Sequence, residues 1–429
     1  MRTLKTTAIG LITFFGIIVL PGITFGDDFQ IRPDITVRGE YSDNVFFSSS
    51  SSDAVDDYTL TIRPGIVLTD RTERLNARLS AHVAPFFYMD NSDLDDIDQD
   101  YRGRIGYQFT PRFFGTADAF YIVDHRIDRD LVATGFLQNA DRRDRYHVGG
   151  GLGYNLSEVT SADVSYDFNR DDWERQAFRE DVDYSTVRLG IDHNLARWLR
   201  TTTGRLGFDY NDINRDSSET DSFAGTVAIR YRMSELFDLR LRGGARYASS
   251  DFDVVLGIDP ATGERIIEQE SNSGWGWVGA TILGYRGEKT RGDLLFSRDL
   301  SPGSGRGTPT VLTRAVGSAR YRITQDLSLG LRAGVYRNEA NSGDFGTQEI
   351  DQYTYRIRPG IRWDFYDNFS LAAAYSYTYL DNKVTDRNTN RNTVFLQVSY
   401  GLPLFDILDL SGSELRQVVS EAVPLPEPQ

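Results

Sequence analysis

Arginine at alternate positions is the feature of this sequence with the clearest chemical potential. In residues 239–247 three of the four even positions carry arginine, and the odd positions carry mainly apolar or aromatic residues. Residues 355–363 repeat this pattern, again with arginine at three of the four even positions. The guanidinium group binds carboxylates and phosphates through two parallel hydrogen bonds. We therefore expect a surface lined by these arginines to attract anionic groups.

Fourteen arginines occupy the polar positions of such alternating runs, and the carboxylates Asp118, Asp192, Asp209 and Asp364 share those positions. Two interpretations stay open and are compatible: charged rings that set the selectivity of a pore, or ladders in which arginine and carboxylate neutralise each other between neighbouring strands. The predicted solute-contacting, lumen-lining set is Arg102, Arg104, Arg188, Arg230, Arg232, Arg240, Arg242, Arg246, Arg320, Arg322, Arg332, Arg356, Arg358 and Arg362.

Catalysis is not predicted. The sequence has four histidines, His82, His125, His147 and His193, and none stands in a recognisable motif with a serine or a carboxylate. The acidic run of residues 90–100 lacks the central glycine and terminal glutamate of a calcium loop, and no phosphate loop, dinucleotide fingerprint or zinc motif occurs. We therefore expect no enzyme, no catalytic residue, no metal, no cofactor and no nucleic-acid partner.

The elements that position the arginines are predicted to be β-strands, because a period of two places alternate side chains on opposite faces. Residues 74–87 show the pattern most clearly, and many further runs follow. After the N-terminal segment no stretch approaches the roughly 20 apolar residues of a membrane-spanning helix. Insertion into a membrane must therefore use strands.

Short and long connections alternate between the predicted strands. Short turns are predicted near residues 70–72, 110–112, 157–158, 196–198, 234–235, 287–289, 324–326 and 366–368. Long polar connections are predicted at residues 48–57, 90–100, 125–144, 170–183, 212–222, 249–273, 298–310, 338–352 and 380–392. Short periplasmic turns and long extracellular loops are typical of outer-membrane barrels. The pattern predicts an all-β, antiparallel transmembrane barrel of about 18 strands, within a range of 16 to 20.

The two ends of the chain differ from the rest in composition. Residues 1–26 combine a basic start, an apolar stretch and a small-residue cleavage site at Gly26, as in a secretory signal peptide. The barrel is predicted over residues 27–402. Residues 403–429 lose the alternation and contain four prolines, which predicts a periplasmic C-terminal tail. Because the strand number is even, both termini are expected in the periplasm of a Gram-negative bacterium.

The sequence contains no cysteine, which excludes disulfides and thiolate metal sites.

Aromatic residues collect at the predicted strand ends, where interfacial girdles are expected. The net charge of −15 lies mainly in the connections, so the outer loops are predicted to bridge to lipopolysaccharide phosphates through divalent cations. Outer-membrane lipid and lipopolysaccharide are therefore expected partners.

The start of the predicted barrel carries a family resemblance. The sequences ITVRGEYSDNVF at residues 35–46 and LTIRPGI at residues 60–66 precede an alternating return strand. This stretch, clearest over residues 35–85, resembles a family of outer-membrane β-barrel porins associated with exopolysaccharide export loci of capsule or biofilm type. The resemblance implies a role in exopolysaccharide secretion and partners in periplasmic export machinery, and it supplies no catalytic residues.

Three functions follow as hypotheses. The leading one is a monomeric conduit through which exopolysaccharide crosses the outer membrane, with the lumen arginines in contact with its acidic groups. The second is a porin for small anionic solutes. The third is a barrel that transports nothing and anchors an envelope assembly.

Overall fold

The computed structural model of the chain describes residues 28–49, 53–125, 131, 141–174, 180–259, 265–305 and 308–401. The predicted signal peptide and C-terminal tail lie outside the described residues. Within them no helix is long and apolar enough to cross a membrane. The regular structure consists of strands and one short 3-10 turn, Ser92–Leu94.

The described residues form eighteen strands, which follow one another along the chain. Their bounds are β1 Asp28–Ser42, β2 Asp57–Arg71, β3 Leu75–Tyr88, β4 Asp96–Gln108, β5 Phe113–Asp124, β6 Arg143–Asn155, β7 Thr160–Trp173, β8 Val182–Asn194, β9 Thr202–Asn214, β10 Ser218–Arg232, β11 Phe237–Ile258, β12 Arg265–Arg286, β13 Thr290–Ser301, β14 Thr310–Arg322, β15 Leu327–Ala340, β16 Ile350–Tyr366, β17 Phe369–Asn382 and β18 Arg387–Tyr400.

Each strand pairs antiparallel with its sequence neighbours, and β1 also pairs with β18. The closing ladder runs from Ile35 opposite Tyr400 to Ser42 opposite Thr393. The sheet therefore closes on itself as a barrel. This confirms the predicted fold and places the strand number in the middle of the predicted range.

The two rims of the barrel differ, as the sequence predicted. At one rim, the turn end, the strands are joined by two to seven residues. At the other, the loop end, the connections reach eighteen residues, between β5 and β6. β1 begins and β18 ends at the turn end.

Three predicted loops at the loop end are wrong in part. Only residues 383–386 join β17 to β18, because the two strands pair as far as Asn382 opposite Arg387. Residues 215–217 alone join β9 to β10, and β11 and β12 extend to Ile258 and from Arg265 as a two-stranded ribbon beyond the barrel wall. The physical reason is that a hydrogen-bonded hairpin continues past the apolar belt, where both faces meet water. Alternation of apolar and polar residues, the signal used for strands, is not needed there.

Burial separates the two faces of the wall. Outward positions carry apolar side chains that are largely exposed, such as Val148, Leu206 and Val227 at 57–61%. Aromatic rings contact one another on this face near both rims, with centroids 4.8 Å apart for Phe369 and Tyr400 and 4.9 Å for Tyr210 and Phe223. A closed sheet with an apolar outer belt between aromatic rings is a transmembrane barrel.

The inner face near β1–β3 holds a buried polar pair. The His82 ring lies across the β2 position Gly65 and brings its Nε2 3.2 Å from the Asp34 carboxylate on β1. A Cβ atom on Gly65 would sit 1.9 Å from the His82 ring. Glycine is therefore required here for a contact that joins the first three strands.

We expect Gly65→Ala to destabilise the barrel by about 1–3 kcal/mol, because it displaces His82 and leaves the buried Asp34 carboxylate unpaired. Gly39→Ala on the lipid-facing side of β1 is the control, since no atom lies within 4 Å of its added Cβ. The measurement is the urea midpoint of the folded protein in lipid vesicles, followed by tryptophan fluorescence. Equal midpoints for the two variants would contradict the role of Gly65.

Candidate functional site

The inner face of the barrel is the candidate site. Residues opposite each other on neighbouring strands share a face, and the ladders place the predicted arginines opposite other inward residues. Arg230 faces Arg240 across β10 and β11, and Arg332 faces Arg358 across β15 and β16. When the strand pairings are followed around the barrel, all fourteen predicted arginines lie on the lumenal face. Their contact with a transported solute stays a prediction.

Strands β4–β9 form a mixed wall of carboxylates and arginines. Their inward positions carry ten carboxylates and six arginines. Arg205 makes two hydrogen bonds of 2.7 and 2.8 Å to Asp163, and a third of 2.5 Å to Asp192. The Arg188 guanidinium likewise donates to Asp167. Arginine and carboxylate thus pair between strands, as in the ladder interpretation, and the wall as a whole keeps four more carboxylates than arginines.

The arginine of one strand reaches past a neighbour because the neighbour is a glycine. Arg205 on β9 contacts Asp163 on β7 by lying across Gly190 of β8, where a Cβ would stand 2.0 Å from its guanidinium. The ion pair thus spans three strands. A guanidinium with such geometry holds the wall together, and its donors are already taken by Asp163 and Asp192.

Strands β14–β18 form an arginine wall. All residues of these strands are described, and their inward positions carry nine arginines and a single carboxylate, Asp364. The arginines are Arg314, Arg320, Arg322, Arg332, Arg356, Arg358, Arg362, Arg387 and Arg391. Like charges directly opposite each other destabilise a sheet, so the Arg332–Arg358 pair has an energetic cost.

Aromatic rings stabilise part of this wall without removing its charge. Arg38 of β1 and Arg358 lie 3.9 and 5.9 Å from the centroid of the Phe395 ring. Arg391 lies 4.8 Å from that of Phe47. A ring face attracts a cation through its quadrupole and leaves the net charge unchanged. The arginine wall therefore stays positive toward the lumen.

Residues from the connections enter the lumen at the loop end. Leu131, from the β5–β6 connection, is 1% exposed and packs on Phe47 and Leu380, and its carbonyl accepts a 3.4 Å hydrogen bond from Thr354. Ser304, from the β13–β14 connection, lies 3.5 Å from Arg143 on the opposite wall. We call Phe47, Leu131 and Ser304 the inner loop cluster. This cluster narrows the loop-end half of the lumen.

Histidine contacts were not predicted. His82, His125 and His147 each lie within 3.3 Å of an aspartate, and His147 also contacts Asn169 at 2.8 Å. These contacts depend on the register between strands, which the sequence does not show. In the described part of the chain no three histidine, aspartate or glutamate side chains group as a metal site.

Several inward arginines were also missed. They lie near strand ends or in strands whose alternation is interrupted by glycine or by like residues. They are Arg32, Arg38, Arg63, Arg71, Arg78, Arg143, Arg145, Arg205, Arg286, Arg291, Arg314, Arg387 and Arg391. Extending each alternating run to its full length would have found most of them.

Comparison with known proteins gives structural similarity at low identity. No family model matches the chain, and no curated protein matches it. The similar solved structures include the outer membrane protein opdK of Pseudomonas aeruginosa (12% identity, TM-score 0.45, 88% of this chain and 100% of that one), OccK2 (OpdF) of Pseudomonas aeruginosa in complex with glucuronate (8%, 0.44, 89% and 100%), and the ferric-catecholate import receptor Fiu of E. coli K12 (8%, 0.45, 88% and 82%).

We expect Leu131→Ala to loosen the inner loop cluster and to increase single-channel conductance. Truncation of a buried leucine costs about 2–5 kcal/mol of packing, which favours displacement of residue 131 from the lumen. Leu331→Ala, on the outer face of β15, is the matched control. Both are compared with the parent protein in planar bilayers. An unchanged conductance for Leu131→Ala would show that this contact does not limit passage.

Proposed function

We propose that the protein is an outer-membrane channel for acidic saccharides or other small anions. The observation that carries the proposal is the arginine wall, with nine inward arginines and one inward carboxylate on β14–β18. Charged groups that line a pore set its ion selectivity. A wall of guanidinium groups favours anions and binds carboxylates or phosphates with defined geometry.

Location and orientation belong to the proposal. The apolar outer belt requires a lipid environment, and short turns face the periplasm in outer-membrane barrels. With the turn end in the periplasm, both the start of β1 and the end of β18 lie there. The loop end then faces the outside of the cell. The signal peptide predicted for residues 1–26 accords with export.

The two walls lie on opposite sides of the lumen. The middle of β4–β9 and the middle of β14–β18 are separated by about half of the 18-strand circumference. The first wall has an excess of carboxylates and the second an excess of arginines, so a field crosses the lumen. An anion is drawn to the arginine wall, and a sugar acid can orient with its carboxylate on that side.

A role in exopolysaccharide secretion is the finer proposal. It is supported by the resemblance at residues 35–85 and by the affinity of arginine for acidic sugar groups. A polymer would have to displace the inner loop cluster, because Leu131 and Ser304 lie in its path. Secretion therefore requires displacement of Leu131 and Ser304.

Replacement of two arginines tests the channel. We expect Arg332→Gln with Arg358→Gln to reduce the anion-to-cation permeability ratio by about three- to tenfold, since one unit charge at 4 Å contributes about 1 kcal/mol in water. Arg170→Gln is the control, because Arg170 lies on the outer face and pairs with Asp172. The measurement is the reversal potential in a salt gradient across a planar bilayer. Cation preference in the parent protein would refute the proposal.

Deletion of the gene tests the finer proposal. We expect acidic polysaccharide to accumulate in the periplasm and surface polysaccharide to fall, with recovery by the parent gene and incomplete recovery by the double arginine variant. Fractionation and sugar analysis of the periplasm and cell surface provide the measurement. Normal surface polysaccharide in the deletion strain would leave the small-anion channel as the function.

A further inference from the structure

The barrel wall splits at the loop end between β12 and β13. The two strands pair only from Gly279 opposite Arg298 down to Arg286 opposite Arg291. Beyond Gly279, β12 pairs with β11 alone and β13 continues with β14. A gap therefore interrupts the sheet on the loop side of this ladder.

A cavity of about 370 Å³ occupies this region, which we call the wall cleft. Its lining includes Arg246 and Ala248 from the inner face and Arg298, Arg337 and Glu339 from the outer face. In a continuous sheet the backbone separates residues of the two faces. The wall cleft thus reaches from the lumenal side to the membrane side of the barrel.

Arg246 indicates that the wall cleft binds an anionic group. The residue is 5% exposed, and its Nε and Nη1 atoms have no hydrogen-bond partner among the described residues. The closest carboxylate that pairs with it, Asp299, is 4.0 Å away. A buried guanidinium whose N–H donors lack acceptors is costly. A phosphate or carboxylate in the cleft would supply the missing acceptors.

The outer rim of the cleft alternates in charge. Arg298 donates a 2.7 Å hydrogen bond to Thr313 and pairs with Glu339, and Arg337 lies 2.6 Å from Glu339 and 2.9 Å from Asp351. The Arg298 guanidinium also lies 5.3 Å from the exposed ring of Trp277. Carboxylates beside arginines suit a ligand that carries hydroxyl donors as well as an anion.

An apolar groove lies beside the cleft, and β14, β15 and β16 contribute to both linings. Its volume is about 300 Å³, and its lining includes Ala315, Ala333, Val335, Ile357 and Tyr377. Val335 precedes the cleft residue Arg337 by two positions on β15, a separation of about 7 Å. The surface is recessed here because the alanine side chains are small. The charged wall cleft and the apolar groove thus form one continuous surface.

We propose that this surface binds one phosphorylated glycolipid of the membrane. The phosphate occupies the wall cleft against Arg246, the sugar hydroxyls donate to Glu339 and Asp351, and an acyl chain lies in the apolar groove. A phospholipid with a glycerol headgroup offers the phosphate and chain with fewer hydroxyl donors, and a free sugar phosphate offers no chain. The proposal does not depend on what the lumen conducts.

Native mass spectrometry of the detergent-solubilised, folded barrel tests the proposal. The probes are a monophosphorylated, acylated glucosamine disaccharide, phosphatidylglycerol and glucose 1-phosphate. We expect one glycolipid per barrel, bound at least tenfold more tightly than either other probe. Arg246→Gln and Ala333→Phe should each weaken that binding at least tenfold, since one removes the phosphate partner and the other fills the groove.

Matched controls are Arg170→Gln and Ala117→Phe, both on the outer face of the other side of the barrel, and both should retain the parent affinity. Gel mobility before and after heating selects folded protein for every variant. Equal affinity for phosphatidylglycerol, or binding unaffected by both cleft and groove variants, would overturn the glycolipid assignment. Equal binding of glucose 1-phosphate would show that the groove has no part in recognition.

Discussion

Backbone hydrogen bonding in lipid is the constraint on which this structure depends. The hydrocarbon core offers no partner to an unpaired amide or carbonyl group, so a sheet can cross it only when its two edges join. Here β1 and β18 meet, from Ile35 opposite Tyr400 to Ser42 opposite Thr393. Once the ladder is closed, the pleat assigns alternate residues to lipid and lumen. The apolar belt and the charged interior are therefore two results of one requirement.

The two sides of the lumen differ in the contacts that their charged side chains make. On β4–β9 carboxylates pair with arginines, and Arg205 reaches Asp163 across Gly190. On β14–β18 arginine faces arginine, as at Arg332 and Arg358, and aromatic rings such as Phe395 provide contacts that keep the charge. The first arrangement stabilises the wall, and the second leaves positive potential in the lumen. Wall stability and the proposed anion selectivity thus belong to different parts of one sheet.

The sequence predicts what depends on local periodicity. The strand number, the rim of each connection and the inward position of residues such as Arg240 and Arg356 all follow from a period of two. The pairing of side chains does not follow from this period, because it depends on the register between strands. His82, for example, contacts Asp34 only because Gly65, which lies between them, has no side chain. Contacts across the lumen, such as Leu131 with Leu380, and the split beyond Gly279 are set by tertiary packing. No local sequence pattern predicts these contacts or the split.

The closing ladder also has a consequence for how the chain folds. Every other ladder joins strands adjacent in sequence, whereas the seam brings together residues more than 350 positions apart, such as Ser42 and Thr393. Its eight residue pairs compare with fifteen between β1 and β2. Loop-closure entropy makes such a distant contact slow to form. The seam is therefore expected to form last, and until then the chain is an open sheet whose two exposed edges can pair with another molecule.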